Sequence, residues 1–411
     1  MKNILVYGLA GWEPEKEARV VLNAIRNLGY RSIFLCDKPN EVMKLADYAE
    51  VNPLWSYDLL KKIATQQKID LAILIVDFAS SLIGRLNREL DLPGPTDHQY
   101  ALVSDKLQWS KIAIQNGLSM PKELLITKID DFENWDSTNT IIVKPTKSTG
   151  NVSNEYFGYK YYDSLQDFKK ELVLKNDLDR FFHINTHGTI FGKYIVQERL
   201  DYKLWGNLGL TIVGKELTVN EMHDRFFHAF PYQTHQYASL GPITLTGSQN
   251  RHAEKVCDIL VNKVGFKNTG LNIDIIETID KKLFTVDINV RFGSTWSTFL
   301  PLRKINYFEQ AINGFLGLSC DLPKTKGFYL RHKIDFQPGV IESVTWPKNL
   351  NPFVQLQGME FCLPGTVVAQ TTGRHTWPLE ALITADSEAH CWQLYNEVKD
   401  NIKVSYQKIK N

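Results

Sequence analysis

The sequence has no long apolar run, almost no net charge and little cysteine, and each absence removes a class of protein. No stretch approaches the roughly 20 consecutive apolar residues of a membrane-spanning helix, so no membrane partner is expected. Lys+Arg 47 against Asp+Glu 46 leaves a formal net charge of +1. That balance speaks against a nucleic-acid partner or an acidic tail, and leaves room for a local phosphate pocket. The five cysteines (Cys36, Cys257, Cys320, Cys362, Cys391) are scattered and lack CxxC spacing. They read as reduced thiols of a cytoplasmic protein. MKNILVYGLAGW carries no secretory core with a small-residue cleavage site. Internal repeats and low-complexity segments are absent. Gly8 and Gly11 make no GxGxxG, and GxxxxGK[ST], GxSxG, HExxH and Cys–His signatures are missing too. A nicotinamide reading is therefore weak, and chemistry that needs no nucleophile from the protein fits these absences.

What is present is an ordinary globular composition, 43% hydrophobic and 23% charged over 411 residues, long enough for two or three domains. NILVYGLAG, SIFLC and DLAILIVDF read as buried parallel strands. The helical patterns EKEARVVLNAIRNLGY, stopping at Gly29, and SYDLLKKIATQQ separate them. This β-α-β-α-β order predicts an α/β, doubly wound, Rossmann-like domain over residues 1–103. After DLPGPT, one helical stretch is expected across ALVSDKLQWSKIAIQNGL. From Pro121 the pattern changes to short strands between turn residues, an α+β region reaching 325. Residues 326–411 form a third, smaller part, β-rich and ending in an amphipathic helix near EAHCWQLYNEVKDNI.

The chemistry concentrates in FTVDINVRFGST. Asp287, Asn289 and Arg291 alternate with Ile288 and Val290, so the polar set shares one face of a strand. Strand propensity does not ask for Asp or Asn. Asp274 in NIDII lies thirteen residues earlier, with a DKK turn at Asp280–Lys282 near the midpoint. An antiparallel hairpin then brings the two acids to one face. Two carboxylates and an amide oxygen suit Mg²⁺ bridging nucleotide phosphates. Arg291 suits an anionic group or charge developing in a transition state. A surface hairpin with solvated acids is the plainer alternative. Lys144 ends the apolar strand IIVK, and the Ser/Thr/Gly-rich stretch behind it can cradle phosphates. An ordinary exposed loop remains the alternative there as well. YIVQERLD turns polar at Gln197 and Glu198, where free backbone groups can meet an adenine edge.

In this order, SDKLQWSKIAIQNGLSMPK, IIVKP with its small-residue loop, IVQERL, and GLNIDII with FTVDINVRFGS resemble the ATP-grasp superfamily, in particular its carboxylate–amine ligases. The likeness runs from about Ser104 to Asn313. It implies an ATP-grasp domain over 104–325, with two subdomains hinged near 197–200, between the N-terminal domain and the C-terminal α+β subdomain. It implies ATP and Mg²⁺, two ions expected, as cofactors, and small-molecule carboxylate and amine substrates. A homodimer is compatible with it. By position, Lys106 and Lys144 would bind the phosphates, and the Lys147–Gly150 loop, with Ser148, Thr149 and Gly150, would close over them. Gln197, Glu198, Arg199 and Leu200 would hold adenine, and Asp201 is what the sequence offers the ribose. Asp274, Asp287 and Asn289 would hold the metal; Asp287 stands where Glu is usual, one methylene shorter. Arg291 would stabilise an acyl phosphate and its tetrahedral successor. NEMHDRFFHAFPYQTHQYASLGP would be a substrate loop, with His223, Arg225 and His228 holding a carboxylate. Gly293, Ser294 and Trp296 would extend that pocket. The implied activity joins two amino acids, or an amino acid and another carboxylate, with release of ADP and phosphate. A carboxylase or purine-pathway type of enzyme is the alternative within the superfamily, and a non-catalytic ATP-binding regulator the alternative outside catalysis.

Overall fold

A computed structural model of the chain describes residues 1–9, 12–53, 56–126, 131, 135, 140–146, 160–162, 166–167, 170, 194–227, 236–293, 299, 305–323, 327–368 and 379–407. Ser148, Thr149, Gly150, His228, Ser294 and Trp296 lie outside them.

The N-terminal part runs β1 (Asn3–Tyr7), α1 (Trp12–Asn27), β2 (Arg31–Cys36), β3 (Tyr48–Val51), α2 (Tyr57–Gln66), β4 (Leu71–Leu74) and α3 (Ser80–Leu90). All pairings in its sheet are parallel, in the order β3-β2-β1-β4. The apolar runs have nearly no exposed surface, as strands covered on both faces require. The edge strand β3, YAEV, is the one the sequence reading omits; it is partly exposed along its length and half polar.

The expected single helix is two, α4 (Asp97–Ser104) and α5 (Lys106–Gln115). The break is Asp105: its backbone is extended, and its carboxylate accepts from the Leu107 and Gln108 amides as an N-cap. Lys106 thereby becomes the first residue of a helix, not a mid-helix side chain.

The chain continues with β5 (Glu123–Ile126), β6 (Ile141–Pro145), β7 (Lys160–Tyr162) and β8 (Tyr194–Glu198), an antiparallel sheet of order β5-β8-β6-β7. Then come β9 (Tyr202–Val213), β10 (Glu216–Phe227), β11 (Gln236–Gly241), α6 (Gly247–Asp258), β12 (Thr269–Thr278), β13 (Leu283–Asn289) and α7 (Tyr307–Phe315). The tail holds β14 (Phe328–Ile334), β15 (Gly339–Thr345), β16 (Val354–Gln357), β17 (Val367–Val368), β18 (Leu379–Ala385), α8 (Glu388–Asn401) and β19 (Lys403–Tyr406).

Two compact units result. The first comprises Met1–Lys203, Leu208–Asn220 and Leu245–Lys324; the second Leu204–Asn207, Glu221–Thr244 and Thr325–Asn411. The second has its own core, where Leu330, Leu379, Ala381 and Ile383 of the sheet pack with Cys391, Leu394 and Val398 of α8. No described helix is long and apolar enough to cross a membrane.

Candidate active site

The hairpin of β12 and β13 forms in the expected register. Asp274 stands directly opposite Asp287, and Asn272 opposite Asn289. The turn closes through the Thr278 amide to the Lys282 carbonyl, 2.9 Å, with Lys281 at φ 65. A bulge after Asp274 makes Ile275 pair with Thr285, which re-aims the strand beside the acids. Asp274 is buried at 7% exposure. Asn289 Nδ2 donates to Asp287 Oδ2 at 3.3 Å.

Lys106 Nζ donates to Asp287 Oδ1 at 3.0 Å, with its side chain 7% exposed. Two bonds from α5 place it there. The Lys106 amide donates to the Thr146 carbonyl at the end of β6, 2.7 Å, and the Trp109 indole donates to the Thr285 carbonyl of β13, 3.1 Å. Burial works to raise the Asp287 carboxyl. Lys106, through charge and hydrogen bond, and the charge of Lys144 outweigh it and hold Asp287 below the usual carboxylate range.

Lys144 is buried and its Nζ donates to Gln197 Oε1 at 2.7 Å. Ile142 pairs with Gln197 across β6 and β8, so Lys144, two residues on, meets the glutamine diagonally on the same face. Burial, then the charge of Lys106, pushes the Lys144 ammonium down to about 7, against smaller support from Asp287 and Glu123. The Gln197 side chain thus faces Lys144, and its Nε2 donates to Glu123 Oε2 at 3.2 Å.

β8 ends at Glu198, whose carboxylate accepts from the Lys122 amide, 2.8 Å. The Arg199 amide donates to the Thr140 carbonyl, 2.9 Å, so that N–H is committed to the sheet. Arg199 pairs with exposed Asp201, and Leu200 lies between them where the chain leaves the strand.

Arg291 lies just past β13 and is held in two places. Its Nε donates to Asp77 Oδ2 at 2.8 Å, and its Nη1 to the Phe292 carbonyl at 2.9 Å. The Arg291 and Asp77 side chains are 10% and 11% exposed. Asp77 opens the 3-10 turn Asp77–Ala79 behind β4. Burial pushes its carboxyl up; Arg291 opposes that and Asp287 adds to it. Sequence reading misses Asp77: DLAILIVDF looks like one long strand, yet β4 stops at Leu74. The available signal was an acid closing a buried parallel strand run, where α/β sheets place ligand-binding groups. Gly293, the next residue but one after Arg291, is buried.

The expected substrate loop is mostly strand. His223 and Arg225 belong to β10, which pairs with β11 through Asp224–Leu240 and Phe226–Ala238. Alternating side chains, not a helix period, explain the polar–aromatic mixture. His223 is 3% exposed, and burial, with the charges of Arg225 and Arg331, pushes it down to about 3. It is a neutral imidazole at physiological pH. Arg225 Nε donates to Gln236 Oε1 at 2.8 Å. In this second unit Arg331 makes a two-point pair with buried Glu380, at 2.7 and 3.2 Å.

Among the described residues no three His, Cys, Asp or Glu side chains cluster as metal ligands. The Asp274, Asp287 and Asn289 set fits an oxygen-loving ion through two carboxylates and an amide, donors that Mg²⁺ takes together with phosphate oxygens and water.

Neither a family model nor a curated protein matches the sequence. Solved structures do. An L-amino acid ligase from Bacillus licheniformis superposes with a TM-score of 0.77 at 16% identity, over 99% of both chains. Phosphoribosylglycinamide synthetase from Anaerococcus prevotii gives 0.72 at 13% identity, over 99% of this chain and 100% of the other. This chain has the ATP-grasp fold. A biotin carboxylase from Campylobacter jejuni, in a beta-gamma-ATP complex, gives 0.70 at 13% identity, over 98% of this chain and 92% of the other. The ATP-grasp match spans the chain end to end, so the N-terminal sheet and the tail are parts of the fold and not additions to it.

Proposed function

We propose that this protein is an ATP- and Mg²⁺-dependent carboxylate–amine ligase that joins an amino acid to a second amino acid or another small carboxylate. One observation carries the reading. Within the first unit Lys106 pairs with Asp287, 181 residues away in sequence, Asn289 donates to the same carboxylate, Asp274 stands opposite it, the charge of Lys144 reaches it, and Arg291 follows on the same arm of the hairpin. The likeness to an L-amino acid ligase supports the choice of substrates.

In this reading Lys106 and Lys144 supply countercharge to the ATP phosphates, and Asp274, Asp287 and Asn289 hold Mg²⁺, which neutralises phosphate charge when bound. Adenine meets the Arg199 carbonyl and the Leu200 backbone, because the Arg199 N–H already serves the sheet. Gly293, buried two residues after Arg291, adjoins the reacting carboxylate. A carboxylate oxygen attacks the γ-phosphorus, the bridging P–O bond breaks, and ADP leaves with the electron pair. The amine nitrogen then attacks the acyl carbon, and the tetrahedral adduct expels phosphate and loses a proton. Arg291 stabilises the negative charge in both steps. No protein nucleophile is required, and positioning accounts for the rest.

Phosphate release from ATP and Mg²⁺ with pooled L-amino acids tests the reading. Release that requires two amino acids, with the amide product found by mass spectrometry, is the expected result. Release with bicarbonate alone would mark a carboxylase, and ATP binding without turnover across broad substrate pools a regulator.

A further inference from the structure

Arg291 and Asp77 meet across 214 residues of sequence, one at the end of the acid-bearing hairpin and the other behind the last strand of the parallel sheet. We propose that Asp77 is a positioning residue of the phosphoryl-transfer site: its carboxylate fixes the Arg291 guanidinium in the plane from which it meets the transferred phosphoryl group. The inference rests on the reading that Arg291 faces that group.

The geometry supports a fixing role. A guanidinium is planar, with five N–H donors in a rigid fork. Contact at Nε by Asp77, at 2.8 Å, and at Nη1 by the Phe292 carbonyl, at 2.9 Å, sets both its plane and its rotation within that plane. Phe292 is itself anchored, its ring packed against Tyr307, Phe308 and Phe315. Asp77 is anchored too, by a 3-10 turn between a strand and a helix. An exposed ion pair would do little of this, since both long side chains stay mobile. This pair is largely shielded from solvent, its side chains 10% and 11% exposed. Without Asp77, the carboxylate nearest in sequence to Arg291 is Asp287, four residues earlier on the metal-binding face. A guanidinium drawn there would leave the anion it serves.

Orthovanadate, a phosphoryl mimic, bound in the presence of saturating MgADP, reads out this role without any knowledge of the amino-acid substrates. Asp77→Asn keeps the side-chain volume. It should weaken vanadate binding by about tenfold while leaving MgADP affinity within about twofold. Asp77→Glu should recover most of the loss. Arg291→Lys should weaken vanadate by itself, and adding Asp77→Asn to it should cost little more, because one partner acts through the other. Where an amino-acid pair turns over, Asp77→Asn should lower kcat and leave the KM for ATP within about twofold. Vanadate affinity that ignores Asp77, additive losses in the double variant, tighter binding in Asp77→Asn, or no vanadate binding by the unmodified protein would each overturn the proposal. Should Asp77→Asn not fold, Asp77→Ser takes its place in the same cycle with Arg291→Lys. Vanadate binding without amino-acid-dependent turnover would sink the ligase reading alone and leave Asp77 to be decided by the vanadate series.

Discussion

Lys144 departs far from its free state in the candidate site. Burial and Lys106 bring it down to about 7, so at pH 8 it is mostly neutral in the free protein. A bound phosphate favours the ammonium, so MgATP binding at pH 8 should take up close to one proton, and at pH 6 almost none. Calorimetry in buffers of different ionisation enthalpy measures this, and Lys144→Met should abolish the difference. The same shift makes stability rise with pH from about 7 toward the unfolded lysine value, since there the unfolded chain binds the extra proton. Asp287 carries a second prediction: Asp287→Ala should lose turnover by about a hundredfold or more, and full activity would remove the metal assignment. At this scale the sequence shows the pattern but not the partners. Asp274, Asp287 and Asn289 are readable because strand periodicity and a turn near the midpoint bring them together locally. Asp77 is not, because its partner lies 214 residues away. The His223 environment is likewise tertiary: Arg331, which helps keep it neutral, comes from another strand.

Elements that carry the site were legible where one signal dominated, and misread where two competed. Apolar runs for β1, β2 and β6 and the DKK turn are unambiguous. The helix across residues 101–118 has continuous periodicity, and the Asp105 cap that splits it competes with that pattern. In the second unit β18, LEALITA, which the sequence reading assigns to no element, carries helix formers yet pairs with β14 over seven positions; tertiary pairing overrides propensity. Asp105→Ala should cost about 1 kcal/mol by loss of the cap, read as a lower Tm, and should weaken MgATP binding through displacement of Lys106. In β12, a Cβ at Gly270 would lie 2.6 Å from the Phe292 ring, which Tyr307, Phe308 and Phe315 hold in place. Gly270→Ala should therefore cost about 1–3 kcal/mol, and turnover should fall because Phe292 neighbours Arg291.

For the whole molecule, the ATP-grasp fold follows from the order of pieces along the chain more than from any one motif, and the likeness over 99% of an L-amino acid ligase accords with that order. The β-rich tail and its closing helix form where expected, and the weak point was the stretch of β10 and β11, expected to be a loop. MgATP should stabilise the chain by about 2.7 kcal/mol at a hundredfold excess over its Kd, and EDTA should remove much of that gain. The most direct test of the central claim uses L-amino acids labelled with ¹⁸O in the carboxylate. Attack of that carboxylate on the γ-phosphorus predicts one ¹⁸O atom in each released inorganic phosphate, with ADP and an amide as the other products. Unlabelled phosphate, or AMP and pyrophosphate in place of ADP, would contradict it.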